Sequence, residues 1–273
     1  MRKLAGDPML RKTLANVVKT LRDALLDHYG KKEYAEVVGL NVTGDVTRKI
    51  DLIAEELLVK ELKDAGLPAY VISEERGLYR IHEAPKYLVV ADPLDGSLNY
   101  SLGIPLAAIS IAVYEFERPR VFEPVYGIVA SVFSNDVYEI MGREVYWNGR
   151  LVSRGSEGAG IFIVHTHSPE LLTKLRRFAN DRGLRPKFRV LGSLALETVY
   201  VAIGSAELLV YDTGGLRVND IAVGVAMAKA MGLRIVMRPG PIEISVGPPR
   251  VIEELWIVPP YFQSAFPRGS QEG

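Results

Sequence analysis

Cysteine is absent from this 273-residue chain, which removes a disulfide framework, a thiolate zinc site and a cysteine nucleophile from consideration. The same absence fits a reducing compartment, so a cytoplasmic location is expected. Histidine is scarce, limited to His28, His82, His165 and His167. Only His165 and His167 stand close together, at the end of a strand-like run, and they read as turn or surface residues rather than metal ligands. Net charge is also missing, because 33 basic and 33 acidic side chains balance. That balance leaves no overall field to attract nucleic acid or an anionic membrane, and neither is expected as a partner. No apolar run approaches the length of a membrane span, and Met1 to Gly30 is charged and helix-patterned rather than built like a signal peptide. Glutamine occurs only at Gln263 and Gln271, a shortage seen in heat-adapted proteins.

What is present suffices for a large core, since 48% of the residues are hydrophobic. Asp7 and Pro8 suit the start of a first helix whose Leu10, Leu14, Val17, Val18, Leu21 and Leu25 share one face until Gly30. A second helix is predicted from Ile50 to Ala65, and the polar, glycine-containing stretch Lys31 to Asp45 between the two reads as a mobile loop. Strands are predicted at Ala69–Ser73, Tyr87–Ala91, Ala107–Tyr114, Val125–Ser131 and Asp136–Met141, with Asn148-Gly149 as a hairpin turn. After about Ser153 the pattern changes. A polar break at residues 154–158 leads into alternating strands (Ile161–His165, Leu208–Tyr211) and helices (Pro169–Arg182 capped by Ser168, Leu194–Ile203, Ile221–Met231). A two-part α/β architecture is expected: residues 1–152, residues 153–266, and a disordered tail over residues 267–273, with a ligand site between the parts.

Chemistry concentrates in Asp92-Pro93-Leu94-Asp95-Gly96-Ser97, which follows the apolar run Tyr87 to Ala91. Two carboxylates at the end of a buried strand, fixed in relation by a proline, repel each other unless a cation lies between them. A hard divalent ion such as Mg²⁺ is the natural occupant, because it takes oxygen ligands and shares them with water and substrate phosphate. Glu74 and Glu75 follow the strand Ala69–Ser73, so at least one can turn toward the same sheet end as Asp92. Asp220 stands near the start of a helix, where a carboxylate also suits the dipole without any ligand.

Taken together, Gly44 to Asp51, Ser73-Glu74-Glu75, Asp92 to Ser97, Gly192-Ser193 and Asn219 to Gly224 resemble the inositol monophosphatase superfamily, which includes fructose-1,6-bisphosphatases and bisphosphate nucleotidases. The resemblance spans about Asn41 to Gly232 and implies an αβαβα layered sandwich, an α+β or α/β fold of the sugar phosphatase type. It implies that Glu74, Asp92 and the Leu94 carbonyl bind one Mg²⁺, that Asp92, Asp95 and Asp220 bind a second, and that Glu74 is shared with a third where one binds. Mn²⁺ is an expected substitute. By the same resemblance Asp51 is expected to accept from the Ser97 hydroxyl, which orients a metal-activated water, with Glu75 assisting nearby. The resemblance further implies that the N–H groups of Gly96 and Ser97 hold phosphate oxygens. Gly192 and Ser193 resemble the family's sugar-contacting turn, which implies that Asp95 meets a substrate hydroxyl as well as metal.

Departures from the family pattern bear on substrate choice. Thr213, with Asp212 beside it, stands where inositol phosphatases often carry a glutamate. Asn219, Val223 and Ser97 replace a tryptophan, an alanine and a threonine common elsewhere. Asn41 to Asp51 is more like fructose-1,6-bisphosphatases, so the chain resembles archaeal enzymes that hydrolyse both inositol 1-phosphate and fructose 1,6-bisphosphate. Arg189, Lys187 and Arg217 are candidate cations for a second phosphate. The resemblance implies a phosphoric monoester hydrolase with a small sugar or inositol phosphate as partner, and a homodimer. The alternatives are a 3′(2′),5′-bisphosphate nucleotidase with the same metal core and a noncatalytic regulator binding metal or sugar phosphate.

Overall fold

The apolar spacing of the first helical stretch buries one face against a sheet, as its period requires: Leu10, Leu14, Val17, Val18, Leu21 and Leu25 of α1 (Pro8–His28) are all buried. The other helices are α2 (Lys49–Asp64), α3 (Ser97–Ser101), α4 (Pro169–Asn180), α5 (Leu194–Ile203) and α6 (Val218–Ala230). The structure is a computed structural model and describes residues 8–42, 44–154, 160–240, 244, 246 and 251–265. The cap expected at Asp7, residues 155–158 of the polar break and the tail of residues 267–273 lie outside the described residues.

The larger sheet has eight strands, in the order Arg150–Leu151, Glu144–Trp147, Val137–Met141, Tyr126–Ser131, Ala108–Glu115, Tyr87–Asp95, Ala69–Ser73, Gly77–Arg80. All neighbours are antiparallel except Ala69–Ser73 beside Tyr87–Asp95, which run parallel. The second sheet has five strands, in the order Lys187–Arg189, Ile161–His165, Leu208–Tyr211, Glu254–Val258, Arg234–Arg238. Alternation along each strand sorts its side chains onto two faces. Val89, Ala91, Ile109 and Ile111 pack with α1 and α2, whereas Leu88, Val90, Ala108 and Ala112 pack with α5 and α6. Ile163, Leu209, Ile235 and Ile257 of the second sheet meet the other side of α5 and α6, and Phe162, Val164, Leu208 and Val210 pack against α4. The layers therefore alternate α, β, α, β, α, as expected.

Helix α6 lies between two sheets, so every residue from Val218 to Ala228 is buried. Its fit against α5 requires Gly224, where an added Cβ would lie 1.8 Å from Thr198 Oγ1 and 2.4 Å from Thr198 Cβ.

Several local readings change. Lys31–Asp45 is not simply a loop: Lys32–Tyr34 is a 3₁₀ turn, and Val37–Leu40 pairs antiparallel with Val46–Arg48. The last helix of the core begins three residues early, at Val218, because Asp220 caps its first turn from inside. The proline-rich end supplies Glu254–Val258, which enters the second sheet between two earlier strands.

Candidate active site

Asp92 and Asp95 are three positions apart, so an unbroken strand would point them to opposite faces. A bulge prevents this. Asp92 pairs with Ser110 and Asp95 with Ala108, so one extra residue sits on the acidic strand and both aspartates share the face that meets α5 and α6. Proline suits such a position, since its missing N–H costs no ladder bond there. Asp92 is 2% exposed, and its Oδ1 accepts the Leu94 N–H at 2.9 Å.

Glu74 stands just beyond the neighbouring parallel strand, and Asp220 arrives from the start of α6. Glu74, Asp92 and Asp220 each offer a carboxylate oxygen within 4.8 Å of the others. Burial raises the Asp92 carboxyl well above its ordinary value, and the charges of Glu74, Asp95 and Asp220 add to the rise. Glu74 is raised by burial and by Asp220 and Glu75, against the opposing charge of Arg217. Asp220 is raised by burial despite Arg217. Three hard oxygen donors that cannot all ionise comfortably together fit a divalent cation such as Mg²⁺ or Mn²⁺ and would not suit a soft metal.

Two helices use the same device at their starts. Asp51 Oδ2 accepts the Arg48 N–H at 2.7 Å, and Asp220 Oδ2 accepts the Arg217 N–H at 3.2 Å. In each case the second oxygen, Oδ1, is buried without a hydrogen bond. Each aspartate thus caps its helix with one oxygen and keeps the other for a further partner. Burial pushes Asp51 up to about 6, although the Arg48 N–H, the Arg48 charge and the Ser97 hydroxyl oppose the rise. Glu75 accepts from the Thr47 hydroxyl and is pushed up to about 7, first by burial and then by the charges of Asp51 and Glu55.

Asp95 faces a different neighbour. Its Oδ1 takes the Leu194 N–H at 3.1 Å, and its Oδ2 takes the Ala195 N–H at 2.9 Å and the Ser193 hydroxyl. It caps α5 from across the chain, which brings the Gly192-Ser193 turn to the acidic strand. It is pushed up to about 7 by burial and the Asp220 charge, against the Ser193 hydroxyl and the Ala195 N–H. Gly96, at φ 87°, permits this approach: an added Cβ would lie 3.0 Å from the Gly192 carbonyl and 3.1 Å from the Leu106 carbonyl.

The sequence model of the inositol monophosphatase family matches residues 9–256. The chain belongs to the inositol monophosphatase family. Among its relatives, a fructose-1,6-bisphosphatase/inositol-1-monophosphatase of Thermococcus kodakarensis is 33% identical over 80% of this chain and 79% of its own. A protein of the same name from Methanocaldococcus jannaschii is 31% identical over 81% of this chain and 82% of its own. A solved inositol monophosphatase–fructose 1,6-bisphosphatase superimposes with a TM-score of 0.76 at 27% identity, covering 93% of this chain and 96% of its own. This family member is a phosphoric monoester hydrolase, and its family is metal-dependent.

The remaining sequence-derived candidates of this inositol monophosphatase family member are placed as follows. Ser97 opens α3 directly after Gly96. Asp212 accepts the Thr166 hydroxyl at 2.9 Å and keeps a buried Oδ1 without a hydrogen bond. Lys187 and Arg189 are exposed on the edge of the second sheet, where Arg189 donates to the Phe188 carbonyl at 2.8 Å. Arg217 lies among the acids, 2.6 Å from Glu74 Oε1. His165 is no surface residue: its Nε2 lies 2.6 Å from Oε2 of Glu197 on α5.

Two supporting residues escaped the sequence reading, and a third, Asn219, was named there only for its place in the family motif. Glu197, fully buried, accepts the N–H groups of Leu191 and Gly192 at 2.5 and 3.0 Å and so shapes the turn before Ser193. Glu55 accepts the Glu75 N–H at 2.9 Å and the Tyr79 hydroxyl at 2.5 Å, fixing the chain beyond Glu74. Asn219 donates to the carbonyls of Ile72 and Ala91 at 3.0 and 2.7 Å, so it clasps the ends of both acidic strands. Its place beside Asp220 was the available signal.

Proposed function

We propose that this enzyme is a Mg²⁺-dependent phosphomonoesterase acting on inositol 1-phosphate and fructose 1,6-bisphosphate, with Mn²⁺ as an acceptable substitute. The observation that carries the reading is the gathering of Glu74, Asp92 and Asp220 oxygens within 4.8 Å, with a second helix-capping aspartate, Asp51, that like Asp220 keeps a buried oxygen without a hydrogen bond. The double name of the Thermococcus kodakarensis relative supports the pair of substrates.

Glu74, Asp92 and Asp220 would hold the metal, with Asp95 and the Leu94 carbonyl completing the ligand set. Held there, divalent ions would supply neutralisation of phosphoryl charge and a lowered pKa for water. Asp51 would accept a hydrogen bond from the Ser97 hydroxyl, which leaves a lone pair of the Ser97 oxygen to orient an attacking water. Glu75, pushed up to about 7, is suited to exchange a proton with that water near neutral pH. The Gly96 and Ser97 N–H groups hold phosphate oxygens. Ser193 and Asp212 receive substrate hydroxyls, and Glu197 keeps the turn at Gly192 in shape. A cytoplasmic homodimer belongs to the same reading, supported by the absence of cysteine and by exposed Leu98, Leu102 and Ile104 around α3. Sedimentation of the purified chain tests the dimer.

The function is tested by phosphate release from inositol 1-phosphate, fructose 1,6-bisphosphate, adenosine 3′,5′-bisphosphate and an aryl phosphate, with Mg²⁺ and with EDTA. EDTA-sensitive release with the first two substrates ranked highest in kcat/KM is expected, and Asp220→Asn should remove it. Preference for the adenosine bisphosphate would move the enzyme to the nucleotidases. No release from any substrate would leave the noncatalytic regulator.

A further inference from the structure

Arg217 occupies an unexpected position for a residue beside a metal site. It ends the short strand Leu216–Arg217, directly before α6, and its side chain is 14% exposed. Its Nη1 lies 2.6 Å from Glu74 Oε1 and 3.0 Å from Asp45 Oδ2, and its Nε lies 3.5 Å from Asp220 Oδ2. Burial works against its charge, but the carboxylates of Asp220, Glu74, Asp92 and Asp45 outweigh burial and hold the guanidinium firmly protonated. Its Nε is nevertheless buried without a hydrogen bond, so the group sits among the acids for its charge more than for complete pairing.

Two of the three clustered carboxylates, Glu74 and Asp220, are thus already in contact with a cation that belongs to the chain. A divalent ion entering the cluster would meet a positive charge already on the Glu74 carboxylate, in surroundings where like charges repel strongly. Asp45 gives the guanidinium somewhere to go. It is 61% exposed, on the turn between Val37–Leu40 and Val46–Arg48, and it already contacts Nη1. The same turn reaches the cluster through Asn41, whose Nδ2 donates to Glu74 Oε1 at 3.3 Å.

We propose that Arg217 is a resident counter-cation of the metal-free site, and that metal loading exchanges it from Glu74 toward Asp45. The proposal rests on the metal-dependent reading above. Arg217 acts here as a positioning residue that sets metal affinity, a role separate from gripping a substrate phosphate. It keeps the acidic strands and α6 assembled before a metal arrives, and it makes the metal bind more weakly than the carboxylates alone would allow.

The test is calorimetric titration of the EDTA-stripped full chain with Mg²⁺ and with Mn²⁺, comparing wild type, Arg217→Gln and Arg217→Lys. Arg217→Gln should bind at least about tenfold more tightly, as removal of a neighbouring like charge requires, and its stripped form should melt at a lower temperature. Arg217→Lys keeps the charge and should stay within about threefold of wild type. Equal or weaker binding by a folded Arg217→Gln overturns the proposal while leaving the phosphatase reading intact. Failure of the wild type to bind either ion overturns both. If Arg217→Gln does not fold, ¹⁵N-arginine NMR of the wild type decides: the Arg217 Nε–H resonance, assigned with Arg217→Lys, should move during Mg²⁺ titration. A resonance unmoved at saturation overturns the exchange.

Discussion

Asp51→Asn separates stability from activity. Asp51 is 4% exposed, and its carboxyl is displaced from 3.8 to about 6 by burial, a difference equivalent to about 3 kcal/mol. The folded state therefore binds more protons than the unfolded state between about pH 4 and pH 6. Stability contributed by this group is full below pH 4, declines as pH rises through that window, and stays lost above it. Asparagine keeps an oxygen for the Arg48 N–H but carries no charge to bury, so the variant escapes the decline. In EDTA at pH 7.5 it should melt above wild type by about 5 °C, the equivalent of about 3 kcal/mol in a chain of this size. At pH 4 the two should melt together. The same variant should lose turnover by about 10²-fold or more, because the amide NH₂ that faces Ser97 can no longer accept its hydroxyl hydrogen bond. Differential scanning calorimetry at both pH values and phosphate release with Mg²⁺ are the assays. A variant no more stable than wild type at pH 7.5 would refute the burial argument, and one with normal turnover would refute the catalytic role.

Other expectations are narrower. Gly224→Ala should destabilise by about 2 kcal/mol in urea denaturation, because overpacking against Thr198 exceeds the helix gain of about 1 kcal/mol from replacing glycine. Ser97→Ala should lower kcat by about 10²-fold with little change in KM, and Ser97→Thr, which keeps the hydroxyl, should restore it. Mg²⁺ at a hundred times its dissociation constant should raise the stability of the stripped protein by about 2.7 kcal/mol, and a melting temperature indifferent to Mg²⁺ would count against the carboxylate cluster as a metal site.

Much of the site was legible because its pieces are local. A buried apolar run followed by Asp-Pro-Leu-Asp-Gly-Ser announces acids at a strand end, and Ser168 announces the start of α4, where its Oγ accepts the Leu171 N–H at 3.1 Å. The bounds of Ala69–Ser73, Ile161–His165, Leu194–Ile203 and Leu208–Tyr211 followed from apolar patterning and turn residues, which depend on near neighbours in sequence. Short exposed or late strands were missed for the complementary reason. Lys187–Arg189 has little apolar pattern, and Glu254–Val258 is a central strand only because Leu208–Tyr211 and Arg234–Arg238 flank it.

Sequence by itself determined the family, most of the regular elements and the local motifs in which the candidate chemistry lies, because periodicity, caps and motif order are properties of neighbouring residues. Tertiary structure decided how those residues face one another. The bulge put Asp92 and Asp95 on one face, Asp95 was committed to α5, Asn219 clasped two strand ends, and Arg217, expected only as a candidate cation for a second phosphate, was set among the acids. Each outcome depends on contacts between segments far apart in the chain, and such contacts are fixed by packing and burial rather than by any local preference.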